Sequence, residues 1–148
     1  MKLSTKTRYG TRAMLELALA HERGTPLNAR EIAQHQNVSV KYLEHLLAAL
    51  QASGLLHSMR GPQGGYTLAR PPEEITLRQI YDALEGSQAL VECTRDPQLC
   101  EKADLCVTRE IWAEMFAACM AVLERTTLAD LVQRLKEKQG TLADMYYI

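Results

Sequence analysis

Residues 39–70 read SVKYLEHLLAALQASGLLHSMRGPQGGYTLAR, and this stretch decides the fold. Ser39 can cap a helix that runs to about Ser53, and Gly54 can stop it. Val40, Leu43, Leu46, Leu47 and Leu50 recur at helical spacing and form its inward face. Lys41, Glu44, His45 and Ala48 form an ordered polar face opposite. Residues 55–59 then read as a short strand and residues 66–69 as its partner. Between them stands Arg60-Gly61-Pro62-Gln63-Gly64-Gly65, a glycine-rich tip led by an arginine. Glycines let a backbone come close to a groove wall, and an arginine on a thin loop can enter a narrow minor groove. Such a hairpin behind a helix reads as a wing; an ordinary β-turn is the bland alternative. The loop is no phosphate cradle, because it enters a strand and no Lys-Ser/Thr follows it.

Upstream, residues 8–22 form a helix, with Tyr9, Ala13, Leu17 and Ala20 on one stripe that Met14 and Leu15 widen. Gly24 and Pro26 end it. Asn28 with Glu31 makes a capping-box pattern for a short helix over 29–36, and Asn37 is a left-handed turn residue after it. Two short helices about a tight turn fit a helix-turn-helix and equally an ordinary helical hairpin. The wing that follows favours the first.

Downstream, Pro71-Pro72 closes this module. Thr76 with Gln79 caps a helix over 77–84, and Gly86 ends it. Residues 87–106 read as an irregular loop holding three cysteines and Pro97. Residues 107–124 are helical again. Ile111, Met115, Ala118 and Val122 make one apolar line, and Trp112, Phe116, Cys119 and Leu123 make a second beside it. That stripe is broader than packing on a small core requires, so Ile111, Trp112, Met115, Ala118 and Val122 are read as a dimer face. A helix buried in a monomer core is the weaker alternative. Thr127 with Asp130 caps a last helix to about Lys138, which Gly140 ends. The fold class is mainly α with a small β-wing: a winged helix-turn-helix domain over 1–72, a linker helix and cysteine loop over 73–106, a dimerisation helix and C-terminal helix over 107–140, and a tail over 141–148.

The 148 residues are 47% hydrophobic, which suits a packed domain rather than a disordered chain. No run approaches the roughly 20 apolar residues of a membrane span, and the first residues lack a signal peptide's apolar core. A cytoplasmic protein is expected, whose four cysteines are no disulfide framework. Residues 1–70 hold nine Lys/Arg against four Asp/Glu, and the remainder eight against fourteen, so charges of +5 and −6 give the net −1. A basic first half suits a module that faces phosphates.

Cys93, Cys100 and Cys106 are separated by gaps of six and five residues on a polar loop. Cys119 lies in an apolar helix and reads as core. Structural zinc sites favour cysteine pairs two to four residues apart. Wider gaps suit a larger inorganic core such as an iron–sulfur cluster. Zinc and a bare thiol–disulfide switch stay open. A cysteine hydrolase would need a nearby base, yet His21, His35, His45 and His57 all fall in the first module, so no enzyme is expected.

Lys6-x-Arg8-Tyr9, Ala13-Met14-Leu15, Ser39-x-x-Tyr42-Leu43-Glu44, Gly54-Leu55, Arg60-Gly61-Pro62-x-Gly64-Gly65-Tyr66, the three-cysteine loop and Thr127-Leu128-Ala129-Asp130-Leu131 together are specific. On them the chain resembles the IscR-like family of winged helix-turn-helix iron–sulfur transcriptional regulators, with relatives NsrR, RirA and CymR. The resemblance implies a homodimer on a palindromic double-stranded DNA operator, acting as a repressor. It implies DNA contacts from Ser39, Lys41, Tyr42, Glu44 and His45 in the major groove, and from Arg60, Gly61, Pro62, Gln63 and Gly64 at the wing. It implies a cluster on Cys93, Cys100 and Cys106 that senses iron–sulfur, redox or nitric-oxide status. Two departures bear on that cluster. The first cysteine gap is one residue longer than the family's, and Arg109 stands where IscR-like chains have a histidine ligand. An acidic residue serves in NsrR-like chains, and Arg8 holds that place. Glu92, Asp96, Glu101, Asp104 and Glu110 are nearby candidates for the fourth ligand, and a residue of the partner chain, a small thiol or water are alternatives. An exposed iron favours 2Fe–2S over 4Fe–4S. Alternatives are a cluster-free regulator under thiol or protein-partner control, as in CymR, and a zinc-stabilised DNA-binding module.

Overall fold

The computed structural model describes residues 3–61, 63–86, 89 and 91–146. They form α1 (Thr5–His21), α2 (Ala29–Gln36), α3 (Val40–Ala52), β1 (Leu56–Met59), β2 (Gly65–Leu68), α4 (Leu77–Glu85), α5 (Glu92–Arg95), α6 (Val107–Glu124) and α7 (Leu128–Tyr146). Single 3-10 turns lie at Pro72–Glu74, Pro97–Leu99 and Ala103–Leu105.

Side-chain caps set the helix starts. Ser4, Asn28, Ser39 and Thr76 accept from the amides of Thr7, Glu31, Tyr42 and Gln79. At α2 and α4 the box is reciprocal, since the Asn28 and Thr76 amides donate to Glu31 and Gln79 at 3.1 and 3.2 Å. Asn37 then turns the chain in left-handed form, φ 53° and ψ 49°, two residues before the α3 cap. α2, this turn and α3 are the expected helix-turn-helix.

α1, α2, α3, β1 and α4 meet in one core, where Met14, Leu17, Ile32, Leu43, Leu47 and Ile80 are fully buried. Burial of each such side chain is worth about 1.5–3 kcal/mol. Val40 departs from the expected inward face and is exposed. It is the first residue of α3, and its side chain, tilted toward the N-terminus, falls outside the Leu43 layer.

β1 and β2 pair antiparallel, Leu56 opposite Leu68 and Met59 opposite Gly65. A third stretch joins them: the Leu27 amide donates to the Tyr66 carbonyl at 3.1 Å, and the Tyr66 amide to the Leu27 carbonyl at 2.8 Å. The wing is thereby rooted in the connection between α1 and α2.

α7 returns to the same core through Leu128 and Val132. Its start is fixed by the Leu128 amide on the Ile75 carbonyl and the Leu77 amide on the Thr126 carbonyl, both 2.9 Å. Lys136 reaches Glu22, the residue that follows α1, at 2.7 Å. The helix does not stop at Gly140 as expected but continues to Tyr146. An exposed glycine inside a helix costs about 1 kcal/mol. Local bonds on both sides, Gln133 to Glu137 and the Thr141 hydroxyl to the Glu137 carbonyl, both 3.0 Å, help carry the helix through.

α6 stands away from this core. Met120 is its one buried residue among those described. Cys119, expected in the core, is half-buried for that reason. No helix among the described residues is long and apolar enough to cross a membrane.

Candidate nucleic-acid interface and cysteine segment

α3 presents its two faces as its sequence spacing requires. Leu43, Leu46, Leu47 and Leu50 are buried, whereas Lys41, Glu44, His45 and Ala48 are exposed. Among the described residues, no ion pair engages Lys41, Glu44, His45 or Arg60. Their polar groups are open to a ligand. Ser39 is exposed at the helix start, its hydroxyl on the Tyr42 amide at 3.2 Å. Tyr42 is half-buried, with its ring against Tyr9. Burial first, then the neighbouring Tyr9 and Glu85, pushes its phenol above the ordinary value.

The wing carries Arg60, Gly61 and Gln63 exposed at its tip. Gly61 holds φ +111°, a conformation that side chains disfavour, and its carbonyl accepts from the Gly64 amide at 2.9 Å. A Cβ on Gly64 would strike the Met59 carbonyl, and one on Gly65 the Leu27 carbonyl. The tip is thin because only glycine fits at these two places. Pro62, expected among the wing contacts, lies outside the described residues.

Two supports were not read from the sequence. The Arg8 and Arg12 guanidinium carbons each lie 5.8 Å from the Tyr9 ring centre, so α1 brings a basic pair to the ring that Tyr42 meets. Glu85, at the end of α4, accepts from the hydroxyls of Ser4 and Thr7. The arginine–tyrosine spacing i−1 and i+3 was visible in the chain; the 78-residue separation of Thr7 from Glu85 gave no signal.

The cysteine segment folds as a string of short turns. Cys93 lies in α5, Cys100 follows the turn at Pro97–Leu99, and Cys106 immediately precedes α6. All three are free thiols and half-buried. Cys106 Sγ lies 3.3 Å from the Thr108 hydroxyl. That contact first, then the Arg109 amide, draws the thiol below its ordinary value. Arg109, half-buried, donates from Nε to the Cys93 carbonyl at 2.8 Å. The thiols suit a soft metal or an iron–sulfur centre by donor type. They are not gathered: among the described residues no three His, Cys, Asp or Glu side chains form a metal-holding group. Glu92, Asp96, Glu101, Asp104 and Glu110 therefore complete no such set here.

Above this segment, Ile111, Trp112, Met115, Ala118 and Val122 are exposed along α6, while Phe116, Cys119 and Leu123 are half-buried.

A family model described as "Rrf2: Iron-dependent Transcriptional regulator" matches residues 3–134. The chain is 42% identical over 133 residues to protein Rrf2 of Nitratidesulfovibrio vulgaris, across 90% of this chain and 88% of that one. It is 40% identical over 148 residues to the HTH-type transcriptional regulator CymR of Bacillus subtilis, across 100% of both. Among solved structures, T. potens IscR matches with a TM-score of 0.78 at 37% identity, covering 94% of this chain and 91% of that one. The structure of CymR, the global cysteine regulator of B. subtilis, matches with a TM-score of 0.76 at 41% identity, covering 90% and 98%.

Proposed function

The chain belongs to the Rrf2 family of DNA-binding transcriptional regulators, and we propose that it acts as a cytoplasmic homodimeric repressor whose DNA affinity follows the state of its cysteine segment. The observation that carries the DNA reading is the unpaired polar face of α3 beside an arginine-tipped wing. Lys41 can meet a phosphate or a guanine, and His45 a base edge. Glu44 accepts from cytosine and repels other groove edges, which makes it a gate on sequence. Arg60 enters the minor groove, with Gly61, Pro62, Gln63 and Gly64 letting the backbone follow. Ser39 and Tyr42 position the first turn of α3.

Cys93, Cys100 and Cys106 would hold an iron–sulfur cluster, 2Fe–2S in preference to 4Fe–4S. When bound it supplies a centre sensitive to oxidants and nitric oxide. The segment packs on the first turns of α6. A change in how it lies there shifts α6, and α6 sets the separation of the two α3 helices in the dimer. One separation matches half-sites about 34 Å apart. A coupling of about 1–3 kcal/mol is enough for a switch.

A second reading is favoured by the ungathered thiols and the full-length likeness to CymR: a cluster-free regulator controlled by thiol oxidation or a protein partner. Anaerobic purification with visible absorption and iron, sulfide and zinc per chain separates these. A brown protein with equal iron and sulfide, lost in Cys100→Ala, supports the cluster. A colourless protein that resists reconstitution supports the second reading, and zinc alone supports a structural zinc module.

A further inference from the structure

The cysteine segment is held to the dimer helix by a bond that involves none of its thiols. α5 packs on α6 and on the turn that follows it. Across the α5–α6 contact, Arg109 Nε donates to the Cys93 carbonyl at 2.8 Å, from a half-buried position. A guanidinium stays charged at every working pH and presents its donors in a fixed plane. A charged donor on a carbonyl ranks among the stronger protein hydrogen bonds. The bond bridges sixteen residues and fixes the carbonyl of the first candidate ligand to the helix that begins just after the third.

We infer that Arg109 is a latch: it ties the Cys93 carbonyl, and α5 with it, to α6, in an arrangement that competes with gathering Cys93, Cys100 and Cys106 around a metal centre. This deepens the proposed function and rests on its reading of the three thiols as ligands. In the latched arrangement they form no group able to hold a metal among the described residues. Thiolates bound to one tetrahedral ion lie about 2.3 Å from it. Drawing Cys93 into such a sphere moves α5 against α6, and the Arg109 bond opposes that movement. The segment therefore has two arrangements. One is tied by Arg109 and the other by the ligands, and α6 feels the exchange directly.

Two measurements on the full-length protein test this, both anaerobic. The first is amide hydrogen exchange of the metal-free protein. Arg109→Ala should raise exchange across residues 92–106, with the amides of Leu43, Leu46 and Leu47 unchanged as the check that the core is intact. The second is titration with Co²⁺ alone, read by its thiolate charge-transfer absorption. Arg109→Ala should bind Co²⁺ roughly tenfold more tightly than the parent, the effect of one charge-assisted hydrogen bond. Unchanged exchange over 92–106 overturns the latch. Faster exchange with unchanged or weaker Co²⁺ binding overturns the competition. Co²⁺ absorption that survives in Cys93→Ser, Cys100→Ser and Cys106→Ser alike removes the ligand reading itself. The exchange measurement still decides the latch in that case.

Discussion

Tyr9 of α1 and Tyr42 of α3 meet edge to face, their ring centres 6.2 Å apart and their planes at 89°. In this arrangement the positive ring edge meets the negative ring face. Tyr42 is next to Lys41 in the first turn of α3, so the pair fixes where the proposed DNA-reading face sits relative to α1. A double-mutant cycle of Tyr9→Ala and Tyr42→Ala, measured by urea denaturation, should return a coupling of about 0.5–1.5 kcal/mol. Simple additivity would mean that the rings are neighbours without mutual stabilisation.

Gly65 is confined by the Leu27 backbone and Gly10 by the tip of the Leu84 side chain. The difference predicts opposite tolerance. Gly65→Ala must displace a carbonyl that belongs to the bridge between Leu27 and Tyr66, and should lose about 1–3 kcal/mol. Gly10→Ala needs only a side chain to turn, and gains helix propensity worth about 1 kcal/mol in partial return. Urea midpoints of the two variants check this. A Gly65→Ala protein as stable as the parent would show that the bridge does not hold the wing.

What could be read from the chain was what local chemistry decides. The capping pairs Asn28 with Glu31, Thr76 with Gln79 and Thr127 with Asp130 announced three helix starts, and all three bonds form. Leu43, Leu46, Leu47 and Leu50 gave the buried face of α3 and, by exclusion, its polar face. Long-range pairings were not legible. The Leu27–Tyr66 bridge joins stretches of unremarkable composition, and the Glu85 contact with Ser4 and Thr7 joins residues 81 and 78 apart in the chain. Gly140 misled because glycine is a common helix end, whereas here its flanking residues sustain the helix. The cysteines showed their chemistry by type and spacing. Their segment is bonded to α6 through Arg109, a residue marked in the sequence only as a departure from the family's histidine.

Glu85 provides a pH dependence with a definite sign. Burial raises its carboxyl, but the Ser4 and Thr7 hydroxyls and Lys6 outweigh that, so the group lies below the ordinary range. A depressed carboxyl stabilises the fold fully above its unfolded value, about 4.3, and loses that contribution as pH falls through the lower native value. Glu85→Gln should cost about 1–2 kcal/mol at pH 7. The gap between parent and variant should close on acidification through the pH 4 region. Urea denaturation at stepped pH measures this, and parallel curves would clear Glu85 of any part in acid sensitivity.

Lys41 and Arg60 should fail differently when removed. If Lys41 meets phosphate, Lys41→Ala weakens binding to all sequences alike and lowers the slope of log K against log salt by about 0.9. Arg60→Ala should lose about 1–3 kcal/mol at sites with A/T-rich minor grooves and little elsewhere. Gel-shift titrations at several salt concentrations, on a specific and a scrambled duplex, separate the two. Equal losses on both duplexes for Arg60→Ala would take the wing out of sequence reading.

The exposed apolar line of α6 gives the last prediction. Ile111, Trp112, Met115 and Val122 are 55, 41, 40 and 47% exposed on one helix, and Ala118 lies between them. Residues 111, 115, 118 and 122 repeat at the spacing that turns one side of a helix to a partner helix. So much large apolar surface left bare on one helix is what the proposed homodimer would cover. In a two-fold dimer Met115 would meet the same face of its partner. A carboxylate there would be buried without a counter-ion, at a cost of several kcal/mol. Met115→Glu should therefore be monomeric by analytical ultracentrifugation, with helix content unchanged by circular dichroism. Its operator binding should weaken at least tenfold, because each module then holds one half-site alone. A Met115→Glu protein that still sediments as a dimer would place the interface on another face.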